Sequence, residues 1–157
     1  MAVRSVNDAA FGQTNESDLI DAIRAGTAPY LSLVAVRDGQ VVGHILFTPV
    51  SIEPPRAGLR IAGLGPMSIR PGFQRQGIGS RLVEAGLAEC SRIGYDAVVL
   101  VGHPEYYPRF GFIPASRYGL KCEYSVPDDV FMALELKDGA LSDCCGVIKY
   151  LPPFDRV

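Results

Sequence analysis

The most constraining feature of this sequence is a strand, a helix and a second strand in direct succession between Leu59 and Val101. Leu59 to Ile69 is a strand-like apolar run, and apolar residues then recur with a helical period up to Ile93. Asp96 to Val101 (DAVVLV) is continuously apolar, which is typical of a strand buried on both faces. Parallel strands need a crossover of this kind, and such crossovers are right-handed. The succession therefore predicts an α/β domain with a parallel strand pair.

The flanking segments predict further strands and one more helix. Asn15 to Ala25 has the period of an amphipathic helix. Tyr30 to Arg37 and Gln40 to Glu53 are strand-like and are joined by Asp38-Gly39, a hairpin signal. Two or three more strands are predicted at Gly119 to Tyr124, Val130 to Leu136 and Val147 to Leu151. We therefore expect a mixed sheet flanked by helices.

Length and charge limit the classes of protein to consider. The chain has 157 residues, which suits one domain, and we assign residues 1–157 to it. Its formal net charge of -2 argues against a nucleic-acid-binding protein, because such domains are usually basic. No apolar run approaches the roughly 18–20 residues of a membrane span, and no signal peptide is visible. We expect a cytoplasmic protein that binds neither nucleic acid nor a membrane.

The cysteines do not predict a metal site. No C-x-x-C motif occurs, and only His44 and His103 could complete a zinc site with them. Adjacent cysteines rarely bridge one another, because the disulfide would be strained. We expect four reduced, structural cysteines and no metal, with a cysteine nucleophile left open: Cys90, Cys122, Cys144 and Cys145.

The crossover helix opens with Gln74 to Arg81 (QRQGIGSR), which places Gly77 and Gly79 at the strand-to-helix turn. Backbone N–H groups at such a turn lack intrahelical partners and, with the helix dipole, suit a phosphate. The same glycines also fit an ordinary helix start without a ligand. The stretch is not a Walker A motif. Nor is it the dinucleotide fingerprint, because Leu82 stands where that fingerprint has a small residue.

The preceding strand contains two glycines and a proline, in Gly63-Leu64-Gly65-Pro66. These residues are typical of a bulge or an edge strand. A bulge near Gly65-Pro66 would separate this strand from Asp96–Val101 and leave the backbone of Met67 to Ile69 unpaired. The strand and the helix start together would form a slot for a long ligand, with a pyrophosphate at one end and a peptide-like part at the other. Coenzyme A has that shape.

Two motifs in this order resemble the GNAT superfamily of acyl-CoA-dependent N-acyltransferases. Gln74-Arg75-Gln76-Gly77-Ile78-Gly79 matches the [QR]-x-x-G-x-[GA] pyrophosphate motif of that superfamily, and Tyr107-Pro108-Arg109-Phe110-Gly111-Phe112 matches its Y-x-x-x-G-F segment. The downstream sequence resembles small stand-alone bacterial N-acetyltransferases, and the resemblance covers most of the chain from Leu31 onwards. It implies a GNAT-like splayed sheet.

The resemblance also implies roles for individual residues. The backbone of Met67, Ser68 and Ile69 would hold the pantetheine arm and the thioester of acetyl-CoA. Tyr107 aligns with the tyrosine that often protonates the leaving thiolate. Without the motif, a tyrosine in such an aromatic cluster is more often a core residue, and the motif favours the acid role. The pyrophosphate would be held by the backbone N–H groups of Gln74, Arg75, Gln76, Gly77, Ile78, Gly79 and Ser80.

The sequence does not identify a single general base that would accept the proton of the attacking amine. His103 lies just past the buried strand, where the slot should open, and imidazole exchanges protons near neutral pH. Family members often have an asparagine near this place, so His103 departs from the pattern. Glu105 is a second candidate, and a relay through water would need no dedicated base. His44 lies within an apolar strand, and we expect it to be a hydrogen-bonded core histidine.

The N-terminal segment also departs from the family, which usually begins with a strand before its first helix. Ala2 to Val6 is barely long enough for that strand, so the first strand is either very short or missing. A missing edge strand would expose unpaired backbone that another chain could cover. We therefore predict a homodimer or a marginally soluble monomer.

The resulting prediction is an N-acetyltransferase in which a primary amine attacks acetyl-CoA directly. The alternative is a non-catalytic acyl-CoA-binding sensor or regulatory module, and a third option is another nucleotide, NAD or ATP, at Gly77–Gly79. The acceptor would be an amine of a small molecule, a peptide or a protein. Glu123, Asp128 and Asp129 could attract a cationic amine, although surface acids are usually only solvated.

Overall fold

A computed structural model describes residues 2–156 of the chain. Within that range, three α-helices and eight strands follow one another, with short 3-10 helices at Tyr107–Phe110, Ala115–Tyr118 and Pro152–Arg156. In chain order the elements are α1 (Ala2–Phe11), α2 (Asn15–Ala25), β1 (Leu31–Arg37), β2 (Gln40–Glu53), β3 (Ile61–Ile69), α3 (Ile78–Arg92), β4 (Ala97–Val101), β5 (Ile113–Pro114), β6 (Leu120–Cys122), β7 (Phe131–Glu135) and β8 (Gly146–Lys149).

All eight strands belong to one mixed sheet built around the long strand β2. Its main path has the order β5-β7-β4-β3-β2-β8-β6, and β1 pairs with β2 outside that path. β3 and β4 are parallel and are connected through α3, whereas β2 pairs antiparallel with β1, β3 and β8. The predicted α/β class and the parallel strand pair are therefore confirmed.

The parallel pair extends over only part of β3. The residue pairs are Ile61–Ala97, Ala62–Val98 and Gly63–Val99, after which β3 continues to Ile69 alongside β2. The β2–β3 register shifts by one residue at Gly65-Pro66, since Ile45 lies opposite Met67 while Phe47 lies opposite Leu64. The predicted bulge and the predicted separation of the two strands are both confirmed.

The sheet is covered by helices on both faces. α3 contacts β1, β2 and β3, and the largest apolar cluster, which includes the buried Phe47 of β2, lies between α3 and the sheet. α1 contacts β2 and β3 on the other face, where α2 packs Leu19, Ile20 and Ile23 against Leu46. Because alternate residues of β2 point to opposite faces, both sides of this strand are buried.

A strand at Ala2–Val6, one of the two readings of the N-terminal segment, is wrong, because Ala2–Phe11 forms the helix α1. The helical period places Val6 against the sheet with no exposed surface. It also lets Arg4 bond Asp18 and Asp21 of α2, at 2.8 and 2.6 Å. The two helices stabilise one another and so outweigh the strand preference of the valines.

Strand β1 lies beyond the helices at the margin of the sheet. Among residues 2–156 it pairs with β2 alone, and its side chains Val34 and Val36 are 44% and 60% exposed. These are the features of an open strand edge. Coverage of this edge by a second chain stays a prediction.

The cysteines are free in this structure. Cys90 and Cys144 are buried, Cys122 is half-buried and Cys145 is exposed. Within the described range, no cluster of three or more His, Cys, Asp or Glu side chains could hold a metal ion. No helix in the same range combines the length and apolar character needed to cross a membrane.

Candidate functional site

The turn from β3 into α3 presents a row of free backbone donors. Gly77 and Arg75 have left-handed φ angles of 81° and 63°, and α3 begins at Ile78 without a side-chain cap. The N–H group of Arg81 bonds the Gly77 carbonyl at 3.1 Å. The N–H groups of the first helical turn before it have no intrahelical acceptor, so they are available to an anion.

The glutamines of this turn brace its shape. Gln74 donates its side-chain amide to the Ile69 carbonyl at 3.1 Å, and Gln76 donates to the Gly72 carbonyl at 3.2 Å. Arg37 of β1 in turn donates to the Gln76 side chain. The side chains of Gln74 and Gln76 are thus engaged within the protein and fix the turn.

The end of β3 provides the second wall of the slot. Met67, Ser68 and Ile69 pair with β2 on one side, and β4 has already separated from them on the other. The two parts of the predicted slot meet at Gly79, where a Cβ atom would lie 3.7 Å from Met67 Cε and 3.9 Å from Ile69 Cγ1. The Tyr106 hydroxyl, 3.3 Å from the same point, lies beside them. The structure therefore brings the predicted pantetheine and pyrophosphate segments together.

Tyr107 lies at the start of the 3-10 helix that follows β4. Its side chain is 8% exposed and packs edge-on against Tyr106 and Phe112, with ring centroids 5.0 and 5.9 Å apart. Burial, with a smaller contribution from Tyr106, raises the pKa of Tyr107 to about 12. The phenol is therefore protonated at neutral pH, as a proton donor must be, while its ring belongs to the core.

His103 and Glu105 are exposed in the segment between β4 and this 3-10 helix. They line an open cavity of about 490 Å³ together with Pro104, Tyr106 and Arg109. The His103 carbonyl accepts N–H groups from Tyr106 and Tyr107, at 3.1 and 3.4 Å. This turn holds both base candidates next to the tyrosine.

His44 is confirmed as a hydrogen-bonded core histidine. It is fully buried, and its two ring nitrogens lie 3.3 Å from the Asn7 amide and 2.7 Å from the Ser32 hydroxyl. Burial, assisted by the positive charge of Arg24, lowers the pKa of His44 to about 4. The imidazole is therefore neutral at physiological pH and takes part in packing.

Two of the three acidic residues that were considered for attracting a cationic amine form hydrogen bonds within the protein. Glu123 accepts the backbone N–H of Tyr150, and Asp128 accepts the Ser116 hydroxyl at 3.1 Å. Asp129 is exposed. Their arrangement does not by itself form an amine-binding site.

The sequence reasoning overlooked Tyr106 and Arg109. The Tyr106 hydroxyl lies 3.1 Å from the Ser80 hydroxyl, which links the 3-10 helix to the start of α3. The Arg109 guanidinium lies 4.4 Å from the centre of the Tyr106 ring. Both residues are in or beside the Y-x-x-x-G-F segment, but that pattern specifies neither position.

Comparison with known proteins identifies the family. The family model of the acetyltransferase (GNAT) domain matches residues 2–115. The uncharacterised N-acetyltransferase YhbS of Escherichia coli is 33% identical over 148 residues, covering 94% of this chain and 87% of YhbS. The uncharacterised N-acetyltransferase YjhQ of the same organism is 35% identical over 130 residues, covering 81% and 72%.

Solved structures agree with the sequence matches. The crystal structure of E. coli YhbS in complex with CoA matches with a TM-score of 0.93 at 31% identity, over 99% of this chain and 86% of that one. A GNAT acetyltransferase from Brucella melitensis in complex with acetyl-CoA gives a TM-score of 0.79 at 36% identity, over 98% and 90%. The chain belongs to the GNAT family of acetyltransferases.

Proposed function

We propose that this protein transfers the acetyl group of acetyl-CoA to a primary amine by direct attack of the amine on the thioester. The observation that carries the proposal is the separation of β3 from β4 after Gly63, directly beside the uncapped start of α3. A single extended ligand can then pair with the free edge of β3 and place its pyrophosphate on the helix N–H groups. The CoA and acetyl-CoA complexes of two relatives support this assignment.

In the proposed complex, the backbone of Met67, Ser68 and Ile69 bonds the pantetheine arm and the thioester. The backbone N–H groups from Gln74 to Ser80 bond the pyrophosphate. Acetyl-CoA is a co-substrate, and the proposal needs no metal, because the amine, the thioester and two proton-transfer groups suffice for the chemistry.

Tyr107 is proposed as the general acid. When the tetrahedral intermediate collapses, the departing thiolate of CoA needs a proton or a strong hydrogen-bond donor. A phenol with a pKa near 12 keeps its proton at neutral pH and can donate it as negative charge develops on sulfur.

The attacking amine must lose a proton, and His103 is the proposed acceptor. It is exposed beside the cavity at the end of β4, so it can pass the proton on to water. Glu105 lines the same cavity and is the second candidate. A His103→Gln variant decides between them: kcat/KM should fall if His103 accepts the proton, and should stay near the wild-type value if Glu105 or water does.

Calorimetric titration with acetyl-CoA tests the binding part of the proposal. Gly58→Glu is a matched control for Gly77→Glu, because both glycines have left-handed φ angles, 79° and 81°, and open space around them. We expect wild type and Gly58→Glu to bind acetyl-CoA and Gly77→Glu to lose binding. Equal binding by both variants, or none by folded wild type, would contradict the proposed site.

Turnover separates an enzyme from a non-catalytic acyl-CoA-binding module. We expect an amine panel, followed by release of free CoA thiol, to reveal an acceptor. With it, Tyr107→Phe should lower kcat about 100-fold with little change in the KM for acetyl-CoA, while Tyr118→Phe serves as the control. Full activity of Tyr107→Phe with an unchanged pH profile would exclude Tyr107 as the acid. Tight binding without any turnover would favour the sensor.

We place the reaction in the cytoplasm, where acetyl-CoA is available, with a small-molecule, peptide or protein amine as acceptor. We also propose that two copies associate through the open edge of β1. A single monomeric mass by light scattering across micromolar concentrations would exclude this dimer.

A further inference from the structure

We propose that Arg109 binds the 3′-phosphate of CoA and so distinguishes CoA from its dephosphorylated form. This inference rests on the proposed function, because it assumes that the pyrophosphate lies at the start of α3. The contact would be made by a charged side chain of the 3-10 helix Tyr107–Phe110, outside the slot that the backbone of β3 and the start of α3 form.

Arg109 is held in one orientation by two contacts with Tyr106. Its Nε atom donates to the Tyr106 carbonyl at 2.8 Å, and its guanidinium lies over the Tyr106 ring. Among residues 2–156, no carboxylate lies within salt-bridge distance of it. A pre-oriented guanidinium without an internal counterion is well suited to a phosphate, because it offers paired donors in a fixed plane.

Arg109 lies where the adenosine end of CoA is expected. It lines an open cavity of about 420 Å³ with Ser80, Glu84, Leu87 and Phe110. This cavity begins at Ser80, the last residue of the proposed pyrophosphate loop, and follows α3 for two turns, about 10 Å at 1.5 Å per residue. The pantetheine arm leaves the pyrophosphate in another direction, along the edge of β3.

The portion of CoA that remains for this cavity is the adenosine with its 3′-phosphate. Leu87 and Phe110 provide apolar surface for the adenine ring, and Arg109 provides charge for the phosphate. Glu84 lies one helical turn beyond Ser80 and would repel an anion. The phosphate is therefore expected at the end of the cavity near Ser80 and Arg109.

The test is calorimetric titration of wild type and Arg109→Gln with CoA and with 3′-dephospho-CoA. Wild type should bind CoA about tenfold more tightly, as expected for one charge-assisted hydrogen-bond pair. Arg109→Gln should bind the two ligands equally, at the wild-type affinity for dephospho-CoA. Arg117→Gln, an exposed arginine of the next 3-10 helix, should keep the wild-type preference.

The other outcomes separate the two proposals. Equal binding of CoA and dephospho-CoA by wild type would overturn the 3′-phosphate contact while leaving acetyl transfer intact. An equal loss of both affinities in Arg109→Gln would place the guanidinium on the pyrophosphate or give it a structural role, and would also overturn the inference. Binding of neither ligand by folded wild type would instead remove the proposed function.

Arg109→Lys provides a second measurement if the glutamine variant proves unstable. It keeps the charge but loses the planar fork, so the preference for CoA should fall without disappearing. This remaining preference should shrink as ionic strength rises. A preference that is insensitive to salt would contradict a charged contact.

Discussion

The two faces of the sheet are held to their helices by different interactions. Under α3 the fit depends on shape: Phe47 lies where a Cβ atom on Gly86 would be only 2.3 Å from its ring. Under α1 and α2 the same strand buries polar groups, with His44 bonded to Asn7 and Thr48 fully buried nearby. The first face should therefore respond to changes in side-chain volume, and the second to changes in protonation and hydrogen bonding.

The largest effect is expected from Gly86→Leu on the α3 face. The new side chain would displace the Phe47 ring or lift α3 from the sheet, and we expect it to lower the free energy of unfolding by about 3 kcal/mol. Ala88→Leu, at an exposed position of the same helix, should change it by less than about 0.5 kcal/mol. Urea denaturation of both variants measures the difference. Similar stabilities would show that the α3 interface is loosely packed.

The second largest effect is expected from pH, acting on His44 under α1 and α2. His44 has a pKa of about 4 in the folded state and an ordinary value of 6.5, so the unfolded chain binds more protons between these values. The contribution of His44 to the free energy of unfolding is therefore fully present above pH 6.5 and is lost as the pH falls towards 4. Linkage predicts a free energy of unfolding about 2 kcal/mol lower at pH 5 than at pH 7.5.

The His44→Gln variant serves as the control for this dependence. Glutamine does not titrate but can still donate and accept hydrogen bonds, so the variant should be less stable at pH 7.5 and should lose most of the pH dependence. A variant that keeps the full wild-type slope between pH 7.5 and 5 would show that another group controls it.

The smallest effect is expected from Thr48→Val. The Thr48 hydroxyl is buried and makes no hydrogen bond with any residue in the described range. Replacing it by a methyl group removes a polar atom without breaking a bond, so we expect the protein to become more stable by about 1 kcal/mol. Thermal denaturation measures this change. A destabilised variant would mean that the hydroxyl is paired with an internal water molecule.

Much of the fold was predictable from the sequence, because the local conformational preferences of the residues match the structure that the whole chain adopts. Asp38 and Gly39 both have positive φ angles, 52° and 77°, as the hairpin prediction required. The α2 helix spans the predicted Asn15–Ala25, and the bulge occurs where glycine and proline weaken the β3 ladder. These features depend on neighbours in the sequence, and a single chain displays them directly.

The misjudged or overlooked features depend on contacts between distant residues. Ala2–Phe11 is helical because Arg4 and Val6 meet α2 and the sheet, which no short-range pattern shows. The two-residue strand β5 was missed because it exists only through pairing with β7. Tyr106 and Arg109 were overlooked for the same reason, since their relation to Ser80 arises when the segment after β4 packs against α3.

The parallel pairing between β3 and β4 extends over only three residue pairs, and this should affect the hydrogen exchange of the β3 amides. Amides on the edge of β3 beyond Gly63 lie in the middle of the sheet yet lack a neighbouring strand on that side, so they should exchange with solvent faster than those of β2. Acetyl-CoA bound along this edge would take the place of the absent strand. Occupancy of the site could then be followed as slowed deuterium uptake between Leu64 and Ile69, without any acceptor amine.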